Sequence, residues 1–292
     1  MDISLFNDFS TRELATIIWV VVFIIWALFL KSTRKAIFGL LKAFLQKQIV
    51  IAFSTMFLYV AFTVYLFSQM QLWDYSLLKD TIFWFFGIGF VLFMNLNKAN
   101  ENEHYFKRIV VDNLKLSLVL IFLVNFYTFS LLTELILIPV LFFIVAMNSY
   151  AGMKKGYETV KKITNFVLGF WGIFLLAFVL VSVFGDYQNL LIVDNLRAFL
   201  LPLFLTFAFL PFLYGFAVFM TYESLFVRLN VSVGERDKKL LGVTKRKMFS
   251  TFGVNLRELN RFSKENISKL WGLRNESELR EIIERFKDEQ IR

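Results

Sequence analysis

The sequence contains no cysteine and a single histidine, His104, in 292 residues. Without thiols there is no disulfide, no zinc-thiolate site and no thiol nucleophile. One imidazole also excludes a His-rich metal cluster built by one chain. Proline occurs three times, at Pro139, Pro202 and Pro211, and glycine thirteen times. Coupled transporters rely on discontinuous helices, internal repeats and midplane ionisable groups, so that class is disfavoured. Catalytic signatures are missing as well. His104 is followed by Tyr105, Phe106 and Lys107 rather than by HExxH, and no G-x-S-x-G, Walker A or G-x-G-x-x-G run occurs. No catalytic residue, cofactor or metal ligand can be named, and an enzyme is not expected.

What the chain has instead is apolar length. Hydrophobic residues make up 58% of it, and 38 residues are Phe. A soluble domain could not cover that much apolar surface. The longest run, 114–150, exceeds one bilayer crossing, which needs roughly 17–25 residues. A lone carboxylate at the centre of such a helix would cost about 2.5–3.5 kcal/mol. Glu134 is therefore expected at a hairpin tip on the membrane surface, between two short crossings. One crossing plus a re-entrant segment is the competing division. The resulting expectation is an all-α integral membrane protein of about seven spans, near 14–30, 49–70, 81–97, 116–133, 135–150, 164–184 and 198–222. A bundle over 1–222 then precedes a small helical tail over 223–292.

Charge orients these spans. The loops assigned to the inside hold thirteen Lys and Arg, whereas the outer segments hold only Arg12, Lys79 and Arg197. By the positive-inside rule the N-terminus is expected outside and the tail inside. Residues 31–48 carry five basic residues and no acid. Ile37, Leu40, Leu41, Phe44 and Leu45 recur there at helical spacing, which predicts an amphipathic helix in the headgroup layer.

Polar residues inside the spans are few. Thr55, Tyr59 and Thr63 share one face of the second span. Asn125 and Thr128 share a face of the fourth and lead toward Glu134. Such a stripe with an acidic mouth could admit cations, particularly with several copies assembled. The alternative is that these groups hydrogen-bond between helices, each contributing about 0.6 kcal/mol on average. Pro202 falls in the first turn of the last span, where its missing N–H is harmless. Pro211 is interior and frees the carbonyl of Phe207, which makes it a candidate hinge.

The tail holds sixteen basic and eleven acidic residues. Lys238, Lys239, Lys245, Arg246 and Lys247 sit near the membrane exit, where anionic inner-leaflet lipids would attract them by about 1 kcal/mol each. No nucleic-acid recognition motif accompanies them. Asn255 with Glu258, and Asn275 with Glu278, predict capping boxes. Leu279, Ile282, Ile283 and Phe286 line one face of the last helix. That face must bury itself either within the tail or against a cytosolic partner.

Two stretches, DNLKLSLVLIFLVNFYTFSLLTELILIPVL (112–141) and LLPLFLTFAFLPFLYGFAVFMTYESLFVRL (200–229), are similar to segments of uncharacterised bacterial multi-pass membrane proteins. The resemblance implies a multi-pass bundle in a bacterial inner membrane and supplies no activity or functional residue. The overall build resembles membrane effectors of phage-defence systems. Two function classes stand open on the residues: an oligomeric effector or channel controlled through its tail, and a non-conducting anchor that recruits a cytosolic partner. A small-solute facilitator is a third.

Overall fold

Helix α1 (Thr11–Phe29) begins at a reciprocal cap. The Glu13 N–H donates to the Ser10 hydroxyl at 3.2 Å, and the Ser10 N–H donates to the Glu13 carboxylate at 2.8 Å. Two donors that a helix start leaves orphaned are thereby satisfied. Only Ala15 is buried along α1, and most of its Ile and Val side chains and Trp26 are exposed, as on a lipid-facing helix. This structure is a computed structural model, and it describes residues 9–102, 104–113, 123–190, 193–234, 237–271 and 275–291.

An extended residue, Leu30, separates α1 from α2 (Lys31–Phe44), of which no residue is buried. Lys31, Lys35 and Lys42 share one side of α2, and Ile37, Leu40 and Phe44 lie on the other. Next come α3 (Lys47–Gln69), α4 (Leu78–Trp84) and α5 (Phe90–Met94). A single π-turn over Phe85–Gly89 joins α4 to α5, the Phe90 N–H reaching back to the Phe85 carbonyl. Short helices α6 (Lys98–Glu101) and α7 (Tyr105–Asn113) follow, then the long α8 (Leu131–Met153), α9 (Glu158–Leu190) and α10 (Val193–Leu229). The tail consists of α11 (Lys238–Phe252), α12 (Leu256–Trp271) and α13 (Glu276–Ile291).

Six segments of the described residues are long and apolar enough to cross a membrane: Thr11–Phe29, Lys47–Gln69, Tyr75–Met94, Leu131–Met153, Glu158–Asp186 and Asn195–Leu229. The chain is a polytopic, all-helical membrane protein. Of the crossing expected over 116–133, residues 116–122 lie outside the described residues, and 123–126 are helical ahead of a turn. The turn ahead of α8 occupies 127–130, so Glu134 sits in the first turn of a helix and not at a hairpin tip. Ser130 is the reason: its hydroxyl caps α8 by accepting from the Thr133 N–H. The outer loop expected over 185–197 is also mostly helical. Asp186, with φ −141° and ψ 32°, interrupts α9 there, but helical structure resumes on both sides.

The chain divides into two units, Met1–Phe57 with Leu114–Phe199, and Leu58–Asn113 with Leu200–Arg292. In the first, α8 packs against both α1 and α9. The Trp19 indole N–H donates to the Leu135 carbonyl at 2.8 Å, and the rings of Phe23 and Phe142 meet at 5.9 Å. Asn148 ties α8 to α9 by donating to Thr164 at 2.8 Å and to Asn165 at 2.7 Å.

The second unit is built around α10. Leu201, Leu205, Phe209, Leu213, Ala217, Thr221, Leu225 and Leu229 recur at every fourth position, and none is more than 4% exposed. A four-residue step overshoots one helical turn by about 40°, so this stripe winds through about 280° over its length. Different neighbours cover α10 at different heights. Its 37 residues span about 55 Å, against about 30 Å for a bilayer core. The helix therefore outruns the membrane, and its last turns are covered by the tail. The helix runs seven residues past the expected end of the span at 222, and Pro202 and Pro211 both lie within it.

Candidate functional site

Two constellations stand out, one in each unit. In the first unit, Arg12 in the opening turn of α1 meets Glu134 in the opening turn of α8. The guanidinium Nη2 lies 2.8 Å from the carboxylate, and Nε lies 3.2 Å from both of its oxygens. Arg12 also donates to the Val124 carbonyl, and the Phe129 N–H donates to Glu134 at 3.1 Å. The Glu134 side chain is 3% exposed. Beside the pair, the Thr11 hydroxyl lies 2.7 Å from that of Thr128 and 2.6 Å from the Phe129 carbonyl. The turn ahead of α8 is thus strapped to the start of α1 by one ion pair and several hydrogen bonds. The buried carboxylate charge of Glu134 is met by Arg12.

The remaining stripe residues are placed as follows. Thr55 is exposed, its hydroxyl bonded to the Ala52 carbonyl at 2.8 Å, and Asn125 is also exposed. In the second unit the Tyr59 hydroxyl donates to the Ala208 carbonyl of α10 at 2.8 Å, while buried Thr63 donates to the Tyr59 carbonyl at 3.0 Å. Nearby, the Trp84 indole N–H donates to Thr206 at 2.9 Å. Tyr59 and Trp84 thus tie their helices to α10, whereas Thr55 and Thr63 bond back to carbonyls of their own helix. Tyr59→Phe should lower stability by only about 0.6 kcal/mol, the average for such a bond between membrane helices. Chemical or thermal unfolding in detergent would measure it. Pro211 is exposed on α10, three residues beyond the carbonyl that Tyr59 holds.

In the second constellation, two tyrosines of α10 hold the turn between α11 and α12. Tyr222 donates to the Gly253 carbonyl at 2.8 Å, and Tyr214 donates to the Val254 carbonyl at 2.8 Å. The Tyr214 oxygen also accepts from the Leu256 N–H at 3.3 Å. Gly253 ends α11 with φ +50°, a left-handed conformation that glycine adopts without steric cost. The rings of Tyr222 and Phe249 meet at 4.2 Å, and Thr221 approaches Asn260 of α12 at 3.2 Å.

Comparison of the chain with protein-family models, with curated proteins and with solved structures finds no match.

The tail has its own apolar core. Leu279, Ile283 and Phe286 are buried and Ile282 half-buried, with Phe286 packed on Phe252 and Phe262. The face expected either inside the tail or against a partner is thus taken up inside it. Asn255 and Asn275 cap α12 and α13 as their spacing predicts, accepting from Glu258 N–H at 3.2 Å and Glu278 N–H at 2.9 Å. Lys238, Lys239 and Arg246 are exposed, Lys245 and Lys247 are half-buried, and the Lys245 ammonium lies 5.3 Å from the Phe226 ring centre. Close to the tail, Tyr105 of α7 donates to the Leu92 carbonyl at 3.3 Å, and burial raises its phenol above the usual value. It remains a donor at physiological pH. Among the described residues no group of three or more His, Asp or Glu side chains could hold a metal.

Sequence reasoning missed Arg12 as the partner of Glu134. The signal was present, because both residues had been assigned to outer ends of their helices. It also missed Tyr214 and Tyr222, whose roles depend on carbonyls some thirty to forty residues further along the chain.

Proposed function

We propose that this chain is a non-catalytic membrane effector that assembles from several copies in a bacterial inner membrane and changes ion permeability under the control of its C-terminal tail. The observation that carries this reading is the joint between α10 and the tail. Two phenol hydroxyls on a membrane helix hold three consecutive-to-nearby backbone groups of the tail, at Gly253, Val254 and Leu256. A change in the tail therefore acts on a helix that continues without interruption into the bilayer. The lysine-rich connectors support a cytoplasmic position for the tail. Defence against phage is the setting the build resembles.

A second reading, a non-conducting anchor for a cytosolic partner, draws on the same geometry. Most polar side chains in the spans are engaged with other protein groups, which leaves little to line a path. Liposomes loaded with potassium and a potential-sensitive dye discriminate the two. The wild-type chain should be nearly tight, and Tyr222→Phe with Tyr214→Phe should raise the leak several-fold by freeing the joint. Equal silence from wild type and the double variant, with both proteins folded, would favour the anchor.

A further inference from the structure

The first unit carries two exposed basic segments, and its helix pairing puts both at one end. Arg12 and Glu134 mark the starts of α1 and α8, and Phe23 meets Phe142 further along, so the two helices run in the same direction. Their last residues, Phe29 and Met153, lie about 26 and 29 Å beyond that ion pair. Both lengths match the roughly 30 Å of a hydrocarbon core, so the chain leaves both helices at the opposite membrane face. From α1 it enters α2 through Leu30 alone, and only Leu45 and Gln46 separate α2 from the apolar α3. Both ends of α2 are thereby held at that face. Its apolar side has no cover: Leu40, Leu41 and Phe44 are exposed, and no residue of α2 is buried. Lys31, Arg34, Lys35 and Lys42 are exposed as well, and residues 31–48 include no acid.

From α8 the chain turns back into α9 at Gly156, whose φ of +94° is one that glycine adopts without steric cost. Lys154, Lys155, Lys161 and Lys162 flank this turn, all exposed. The Lys154 ammonium lies 4.9 Å from the Tyr150 ring centre, and the rings of Tyr150 and Tyr157 meet edge to face at 5.6 Å. Lys161 lies along the last turn of α8, where Gly152 leaves room for it; a Cβ there would stand 3.6 Å from its Nζ. Glu158, the one acid within 153–162, accepts from the Gly156 N–H at 3.1 Å.

We propose that this end of the first unit is a binding surface for anionic phospholipid, with α2 lying in the plane of the leaflet. Whatever covers α2 must be apolar on one side and anionic on the other, and an anionic leaflet offers both. Acyl chains receive Leu40, Leu41 and Phe44, while phosphates meet Lys31, Lys35 and Lys42 on the opposite side. The hairpin lysines meet phosphates at the same face. Tyr150 and Tyr157 present apolar rings with polar hydroxyls there, as tyrosines at membrane interfaces do. A zwitterionic leaflet supplies the acyl chains without the net charge, so it holds this surface less firmly. Binding here does not depend on the effector reading or on the tail.

The test uses the full chain in nanodiscs of phosphatidylcholine, with and without phosphatidylglycerol. The unfolding midpoint should be several degrees higher with phosphatidylglycerol present. Gln in place of Lys31, Lys35 and Lys42, or of Lys154, Lys155, Lys161 and Lys162, should roughly halve that difference in each case. Arg at the same positions should retain it, and Lys287→Gln in the tail should leave it unchanged. Equal midpoints in the two lipids overturn the proposal, as does a difference that survives both sets of Gln substitutions. A second measurement reads the position of α2 directly. Because the chain lacks cysteine, Leu40→Cys, Phe44→Cys and Lys35→Cys each take a single nitroxide label. Oxygen, enriched among acyl chains, should relax the labels replacing Leu40 and Phe44, and a water-soluble nickel chelate the one replacing Lys35. Immobilised labels on the apolar side that couple between copies would put a second copy of the chain where lipid is proposed. Access of the chelate to all three labels would put α2 off the membrane. Either result overturns the proposal.

Discussion

Arg12→Ala should lower the unfolding midpoint of the detergent-solubilised protein by on the order of 10 °C. The substitution leaves the Glu134 carboxylate, 3% exposed, without its counter-charge. Removing one partner of a buried ion pair costs about 3–5 kcal/mol, because the other charge stays desolvated. Arg12→Met combined with Glu134→Gln should recover most of the loss. That pair removes both charges while keeping an oxygen for the Phe129 N–H, which now donates to Glu134 at 3.1 Å. Recovery stays incomplete, since the Val124 carbonyl loses its donor. A cycle of the two single variants and the double measures the coupling directly. Additive losses, with no recovery in the double variant, would mean that the two charges stabilise the strap independently.

Phe262→Ala should unfold the tail while leaving the membrane spans folded. Phe262 is fully buried, with ring centroids 4.7 Å from Phe252 and 5.2 Å from Phe286. Emptying a site of that size costs about 3–5 kcal/mol, a large share of what a small helical region holds in reserve. Limited proteolysis of the purified variant should give rapid cuts within 237–291 and a resistant membrane fragment. The tyrosine joint should loosen with it, because Gly253 and Val254 would no longer be held in one turn by the helices on either side. Unchanged protease resistance would show that the tail core is supported mainly by α10.

The spans were legible because apolar length is a local property. Six of the seven expected crossings correspond to six long apolar helices, with ends shifted by a few residues where caps decide. Ser10 starts α1 earlier than hydropathy alone suggests, and Ser130 starts α8 ahead of Glu134. Pairings between distant residues were not legible in the same way. Arg12 and Glu134 are more than a hundred positions apart, and nothing local distinguishes a buried carboxylate with a counter-ion from one at a surface turn. The length of α10 was hidden for a related reason. Glu223 and Arg228 look like the end of a membrane span, yet the helix continues through them because Leu225 and Leu229 are buried in the second unit. The last helix shows the limit of periodicity. Leu279, Ile283 and Phe286 announce a face that must be covered, but only their contact with Phe252 and Phe262 tells what covers it.

The winding stripe on α10 behaves like the thread of a screw. Advancing the helix by about 6 Å while turning it by about 40° would carry each stripe residue into the next one's seat. Those seats are unequal, since Phe209, Leu213, Ala217 and Thr221 differ in volume and chemistry, and close-packed interiors tolerate such mismatches poorly. The thread is therefore jammed against both sliding and rotation. Bending is the motion such a thread does not oppose, and at exposed Pro211 the helix has no N–H to bond the carbonyl of Phe207.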